Sequence, residues 1–165
     1  MRWLISKGFI DRRRIVIFGQ SAGGGRVNLL LTRGHRYAAA ILHDPIPSGH
    51  DAEALRAAAL GLPVRWSRPQ LTTRQRRAEL KGFLFEGWRS RTPTLIMVGN
   101  PEHGAVDPLS AQTLYSMLLS RHVPTRFVQY LDDGHVPTTS AGVEDRFHQM
   151  QTWMDRYAPG DHPPS

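Results

Sequence analysis

A chain of 165 residues, 40% of them hydrophobic, can bury one core and does not fit a fibrous or disordered class. It contains no cysteine, which excludes disulfide frameworks, thiolate metal sites and cysteine nucleophiles. The formal net charge is +7, and most of it is local: between residues 64 and 91 eight Lys or Arg stand against only Glu79 and Glu86.

The amino terminus, "MRWLISKGFIDRRR", has too short an apolar patch for a secretory leader, and no window reaches the length of a membrane span. A cytoplasmic chain with no membrane partner is therefore the expectation. "WLISKGFI" predicts the end of an amphipathic helix closed by Gly8, and Arg12 to Arg14 a solvated turn. Ile15 to Phe18 is uniformly apolar, which predicts a strand covered on both faces, as in a parallel sheet. A leucine-rich helix follows from about Ala22 to Leu31, and 37–45 predicts a second buried strand. Residues 46–63 predict a loop and a short alanine-rich helix closed at Gly61, before the basic segment. Residues 92–100 predict a third strand, 108–122 a helix with Leu114, Tyr115 and Leu118 on one face, and 125–131 a fourth strand. The last helix, 142–158, carries Phe147, Met150, Trp153, Met154 and Tyr157 at helical spacing; the tail, 159–165, predicts disorder.

Strands alternating with helices predict a parallel α/β sheet, whose sites lie beyond the carboxyl ends of its strands. That edge collects Ser21, then His43 and Asp44, then Glu102 and Asp107, then Asp132 to His135. Gly19-Gln20-Ser21-Ala22-Gly23 fits G-x-S-x-G, a sharp strand-to-helix turn that exposes a nucleophilic hydroxyl. Glycines at 19 and 23 are expected because side chains two positions either side of the serine would clash. The Ala22 amide, opening the helix, is the expected oxyanion donor. A glycine-rich turn whose serine caps the helix explains the same five residues without chemistry. Gly24 suits a close helix-to-strand approach, and Gly25 has no explanation in the pattern.

A serine nucleophile needs a base held by a carboxylate, in the chain order serine, acid, histidine. Among eight histidines His135, in "DDGHVP", alone lies between a strand and the closing helix. His35, His50, His122, His148 and His162 read as solvated, whereas His43 and His103 suit the lining of a crevice.

"WLISKGFIDRRRIVIFGQSAGG", "TPTLIMVGN" leading into "AVDPLSAQTLYSML", and "VQYLDDGH" before an aromatic-rich helix resemble the catalytic domain of the prolyl oligopeptidase (S9) serine peptidases. The likeness runs over roughly 3–157 and is weakest at 46–90. It implies a three-layer α/β-hydrolase fold over residues 1–158, seen as its C-terminal portion, with a mainly parallel sheet flanked by helices and the N-terminal strands missing. It implies that Ser21 is acylated by a peptide or small acyl substrate and that His135 is the base. The family's acid is an aspartate three residues after the glycine that ends the strand and three before a valine. Here counting forward from Gly99 gives Glu102 and counting back from Val106 gives His103, one residue too many. Glu102 is the expected acid, with Asp107 as the alternative.

The resemblance also implies strands before the elbow that carry a second oxyanion donor. Their absence from the chain leads to the expectation of a truncated sheet completed by an upstream segment or a second chain. Lacking one donor would cost roughly 10²- to 10³-fold in rate, so a non-catalytic remnant is the rival reading. The basic segment, with Trp66, Phe83, Phe85 and Trp88 interleaved, suits a solvated cap better than a nucleic-acid surface, since no binding motif accompanies it. No metal or cofactor motif is present.

Overall fold

In a computed structural model, residues 2–32, 36–46, 61, 89–106 and 108–160 are described. The expected alanine-rich helix, nearly all of the basic segment, Asp107 and the end of the tail lie outside the described residues.

A short helix α1 (Arg2–Ser6) leads through Gly8, at φ +74°, into a single 3-10 turn at Arg12–Arg14. Asp11 caps that turn by accepting the Arg13 amide at 2.8 Å. Then follow β1 (Val16–Gln20), α2 (Ala22–Thr32), β2 (Ala39–His43) and β3 (Thr94–Val98). The chain finishes with α3 (Leu109–Ser120), β4 (Thr125–Gln129) and α4 (Ser140–Tyr157). The four strands lie in the order β1-β2-β3-β4, and each neighbouring pair is parallel. No described helix is long and apolar enough to cross a membrane.

Because side chains alternate along a strand, β2 and β3 feed two cores at once. Ala40 and Leu42 join Ile96 and Val98 under Val27, Leu31, Leu114 and Leu118 of α2 and α3. Ala39 and Ile41 join Leu95 and Met97 against Trp153 of α4. Every residue of β2 and β3 is buried, as their unbroken apolar runs predict. Burial on both faces does not extend to β1. This strand pairs with β2 alone among the described strands, and Phe18 stays 50% exposed. On α4, Met150, Trp153, Met154 and Tyr157 pack on the sheet, but Phe147 points outward at 67% exposure. Helical spacing placed it in the stripe, but it falls at the edge of the face that Met150, Trp153, Met154 and Tyr157 bury.

The most constrained backbone follows β1. Ser21 has φ +56°, a left-handed conformation costly for any residue with a Cβ. A Cβ on Gly19 would strike the carbonyl of Gly23, so the close turn needs glycine there. One on Gly24 would lie 2.8 Å from the Pro45 Cα, and one on Gly25 would run into the Ile46 carbonyl oxygen. Gly25 thus has a reason that no sequence pattern displayed: the chain leaving β2 crosses directly over the first turn of α2. At Gly23 the clash expected from the motif does not occur, since a Cβ there would meet nothing within 4 Å among the described residues.

Gly25→Ala is expected to destabilise the fold by about 1–3 kcal/mol through overpacking, whereas Gly23→Ala should be stabilising by up to about 1 kcal/mol from helix propensity. Urea unfolding of the two variants checks both signs. By the same measurement Leu114→Ala should cost about 2–5 kcal/mol, and Phe147→Ala should stay within about 0.5 kcal/mol of the parent.

Candidate active site

The carboxyl ends of the four strands bring four loops together. Ser21 is the hinge of the first. Its amide donates to the His43 carbonyl at 2.9 Å, and its own carbonyl accepts the Ile46 amide at 3.0 Å and the Gly25 amide at 3.3 Å. The strained residue is thus held by main-chain bonds to both β2 and α2, and its side chain sits at a half-buried position. Ala22 is the first residue of α2. An amide in that position has no acceptor within its own helix and lies at the positive end of the helix dipole, so it is free to donate to an anion.

His135 comes from the loop between β4 and α4. That loop is pinned by Asp133, which is buried and accepts the amides of Thr138 at 3.0 Å and Thr139 at 3.2 Å. Arg146 of α4 closes on the same carboxylate at 2.7 Å. These backbone and guanidinium donors hold the Asp133 carboxyl well below the usual carboxylate range. Asn100 adds a second tie, its amide donating to the Asp133 carbonyl at 2.7 Å and its side chain to that of Leu131 at 2.8 Å. The loops after β3 and β4 touch backbone to backbone: a Cβ on Gly99 would strike the Gly134 carbonyl, and one on Gly134 that of His103. Gln20, the residue before the serine, donates to the His135 carbonyl at 3.4 Å. The histidine loop therefore rests against the end of β1.

The carboxylate next to the imidazole belongs to Asp44. Fully buried at the end of β2 with φ +40°, it accepts the Gly99 amide on Oδ1 at 2.8 Å. Its Oδ2 lies 3.5 Å from Nδ1 of His135 and 3.8 Å from Nε2 of His43. Burial pushes the Asp44 carboxyl above its ordinary range, opposed by the Gly99 amide, His135 and Arg146. His43 is buried too; loss of solvent, with Arg146 and His135 nearby, lowers it to about 4, so it is neutral at pH 7.

Glu102, the acid expected from loop spacing, has an exposed side chain in a 3-10 turn at Pro101–His103. Asn100 caps that turn by accepting the Glu102 amide at 3.1 Å. Among the described residues no hydrogen bond or ion pair joins the Glu102 carboxylate to His135. The inserted residue that spoils the spacing is absorbed by this capped turn, which Gly104 closes at φ +81°. The other expected acid, Asp107, lies outside the described residues. His103, His122 and His148 are exposed; His35, His50 and His162 are not described. Asp44 stood in the sequence on the correct sheet edge, at the end of a wholly apolar run, and that was its only signal. No group of three potential ligands among the described residues is arranged to hold a metal ion.

Residues 1–161 match the Prolyl oligopeptidase family. No curated protein matches the chain. Among solved structures it is similar to an acylaminoacyl peptidase from Pyrococcus horikoshii, with TM-score 0.73 and 18% identity, covering 99% of this chain and 27% of that one. A puromycin-hydrolyzing peptidase from Mycobacterium tuberculosis gives a TM-score of 0.77 at 19% identity, over 99% of this chain and 25% of the other. The AtxE2 isopeptidase gives 0.69 at 20%, with 99% and 25% covered. The chain therefore spans about a quarter of the length of the solved structures it resembles. These likenesses establish an α/β-hydrolase fold, and with the match over 1–161 the chain belongs to the prolyl oligopeptidase family.

Proposed function

We propose that this chain carries the nucleophile and base of a serine-type peptidase, acting through an acyl-enzyme on a peptide or small acyl substrate. The observation that carries the reading is the left-handed backbone of Ser21 between β1 and α2, with the His135 loop resting on the residue before it. Strain at a non-glycine residue persists only where surrounding bonds enforce it, and it collects at reactive groups. In the reaction, an imidazole nitrogen of His135 takes the Ser21 hydroxyl proton as Oγ attacks the substrate carbonyl carbon. The Ala22 amide donates to the resulting oxyanion. Collapse breaks the carbonyl–nitrogen bond, and the imidazolium returns its proton to the leaving amine. Water then attacks the acyl carbon as the same imidazole takes its proton; the acyl–Oγ bond breaks, the imidazolium returns the proton to Ser21 Oγ, and the acid is released.

The choice of an amide substrate draws on the relatives, described as an acylaminoacyl peptidase, a puromycin-hydrolyzing peptidase and an isopeptidase. Two of these are named peptidases and the third an isopeptidase, and an amide of peptide type is the substrate class proposed for this chain.

A fluorophosphonate probe followed by peptide mass spectrometry tests the reading. The adduct is expected on Ser21, absent in Ser21→Ala and formed about 10²- to 10⁴-fold more slowly in His135→Ala. A folded parent chain that takes no label, or takes it at the same rate without His135, would overturn the assignment.

A further inference from the structure

The acylation chemistry just described leaves one role without an occupant: the group that fixes the tautomer of the base. We propose that Asp44, at the end of β2, is the positioning residue for His135, and that this role has no contribution from the exposed Glu102. The inference rests on the reading of His135 as base.

Two buried polar atoms make the case. Among the described residues Asp44 Oδ2 and His135 Nδ1 each lack a hydrogen-bond partner and face one another at 3.5 Å; His43 Nε2, also without a partner, stands farther from the same oxygen, at 3.8 Å. His135 Nδ1 is thus the nearer complement of Asp44 Oδ2, and a shift of a few tenths of an ångström makes the bond. Catalytic hydrogen bonds are commonly long before substrate arrives and tighten with it. The rest of Asp44 cannot drift: its amide donates to the Met97 carbonyl at 2.8 Å, its Oδ1 holds the Gly99 amide, and its backbone is locked at positive φ. Burial raises the Asp44 carboxyl, and the Gly99 amide, His135 and Arg146 oppose that shift by favouring the anion. His43 is neutral and meets the same oxygen at 3.8 Å, and the Arg146 guanidinium favours the anion. Glu102 would have to leave solvent and abandon its exposed position to compete.

The chemical consequence is specific. With Nδ1–H donated to Asp44, the proton-free nitrogen of the ring is Nε2, the atom a serine proton requires. An asparagine at 44 keeps the shape but can offer an N–H to Nδ1, which drives the ring proton to Nε2 and blocks the base.

Nitrogen-15 spectra of the imidazoles in alkaline buffer, with His135 assigned by loss of its signals in His135→Gln, decide the matter. The parent chain is expected to show the Nδ1–H tautomer, Asp44→Asn the Nε2–H tautomer, and Glu102→Gln no change. Fluorophosphonate labelling of Ser21 should slow by about 10⁴-fold in Asp44→Asn and stay at the parent rate in Glu102→Gln. A parent His135 in the Nε2–H form, or a tautomer that responds to Glu102→Gln and not to Asp44→Asn, would overturn the proposal. If Asp44→Asn does not fold, Asp107→Asn and Glu102→Gln decide it: both are expected to keep the Nδ1–H tautomer, and its loss in either would overturn the proposal. The tautomer also separates this inference from the functional reading: an unlabelled Ser21 sinks the nucleophile, whereas the nitrogen spectra report on Asp44 either way.

Discussion

The arrangement at the carboxyl edge of the sheet depends first on one backbone position, the left-handed turn at Ser21. Left to itself that conformation is unfavourable for a residue with a Cβ. It is held because the serine's amide and carbonyl are both used, one on His43 and the other on Ile46 and Gly25. Those bonds form only if the segment leaving β2 can lie against the start of α2. Glycines at 24 and 25 leave that space, and Gly19 lets the chain reverse on itself. Within the triplet, Gly24 and Gly25 thus make room for the crossing segment, and Gly23, the one of the three that belongs to the motif, is the least crowded.

The same economy of contacts holds at the other strand ends. A parallel sheet delivers its loops to one edge, where main-chain donors and acceptors would otherwise lose water without gaining partners. Here they are stitched across strands, by Gly99 onto Asp44 and by Asn100 onto Asp133 and Leu131. Two buried carboxylates result, in opposite electrostatic situations. Asp133 is saturated with donors, so ionisation is easy and its work is to hold a loop. Asp44 has a single firm donor among the described residues, so its second oxygen remains directed at the neighbouring imidazoles.

Much of the scaffold could be read before any coordinates, because its information is local. Residues 37–45 read as a buried strand, 92–100 as a strand and Gly8 as the end of a helix, and the structure has all three. Where the reading fell short, the missing information was tertiary. That Phe18 is half exposed depends on what lies against β1, and that Phe147 faces solvent depends on how α4 is turned against the sheet. The carboxylate beside His135 was harder still. Counting residues along the loop after β3 led to Glu102, but the neighbour that meets the ring comes from a different strand. Spacing describes one segment, whereas this contact depends on the parallel register of β2 with β3 and the loop carried by β4. Gly25 was illegible for the same reason, its obstacle being the carbonyl of Ile46 on the far side of the β2 crossover.

The parallel pairing of β2 with β3 carries a kinetic consequence. Ala40 meets Thr94, so everything from residue 44 to residue 93 must be looped out before the central pair of strands can close. Contacts of such separation come late and slow a fold, because the entropy of closing the loop is spent before any bond rewards it. The turn at Ser21 needs only its near neighbours through Ile46, but the pocket around Asp44 needs Gly99 and His135 as well. The hydroxyl can therefore be shaped early in folding, while the imidazole reaches its carboxylate only when the last strand has docked.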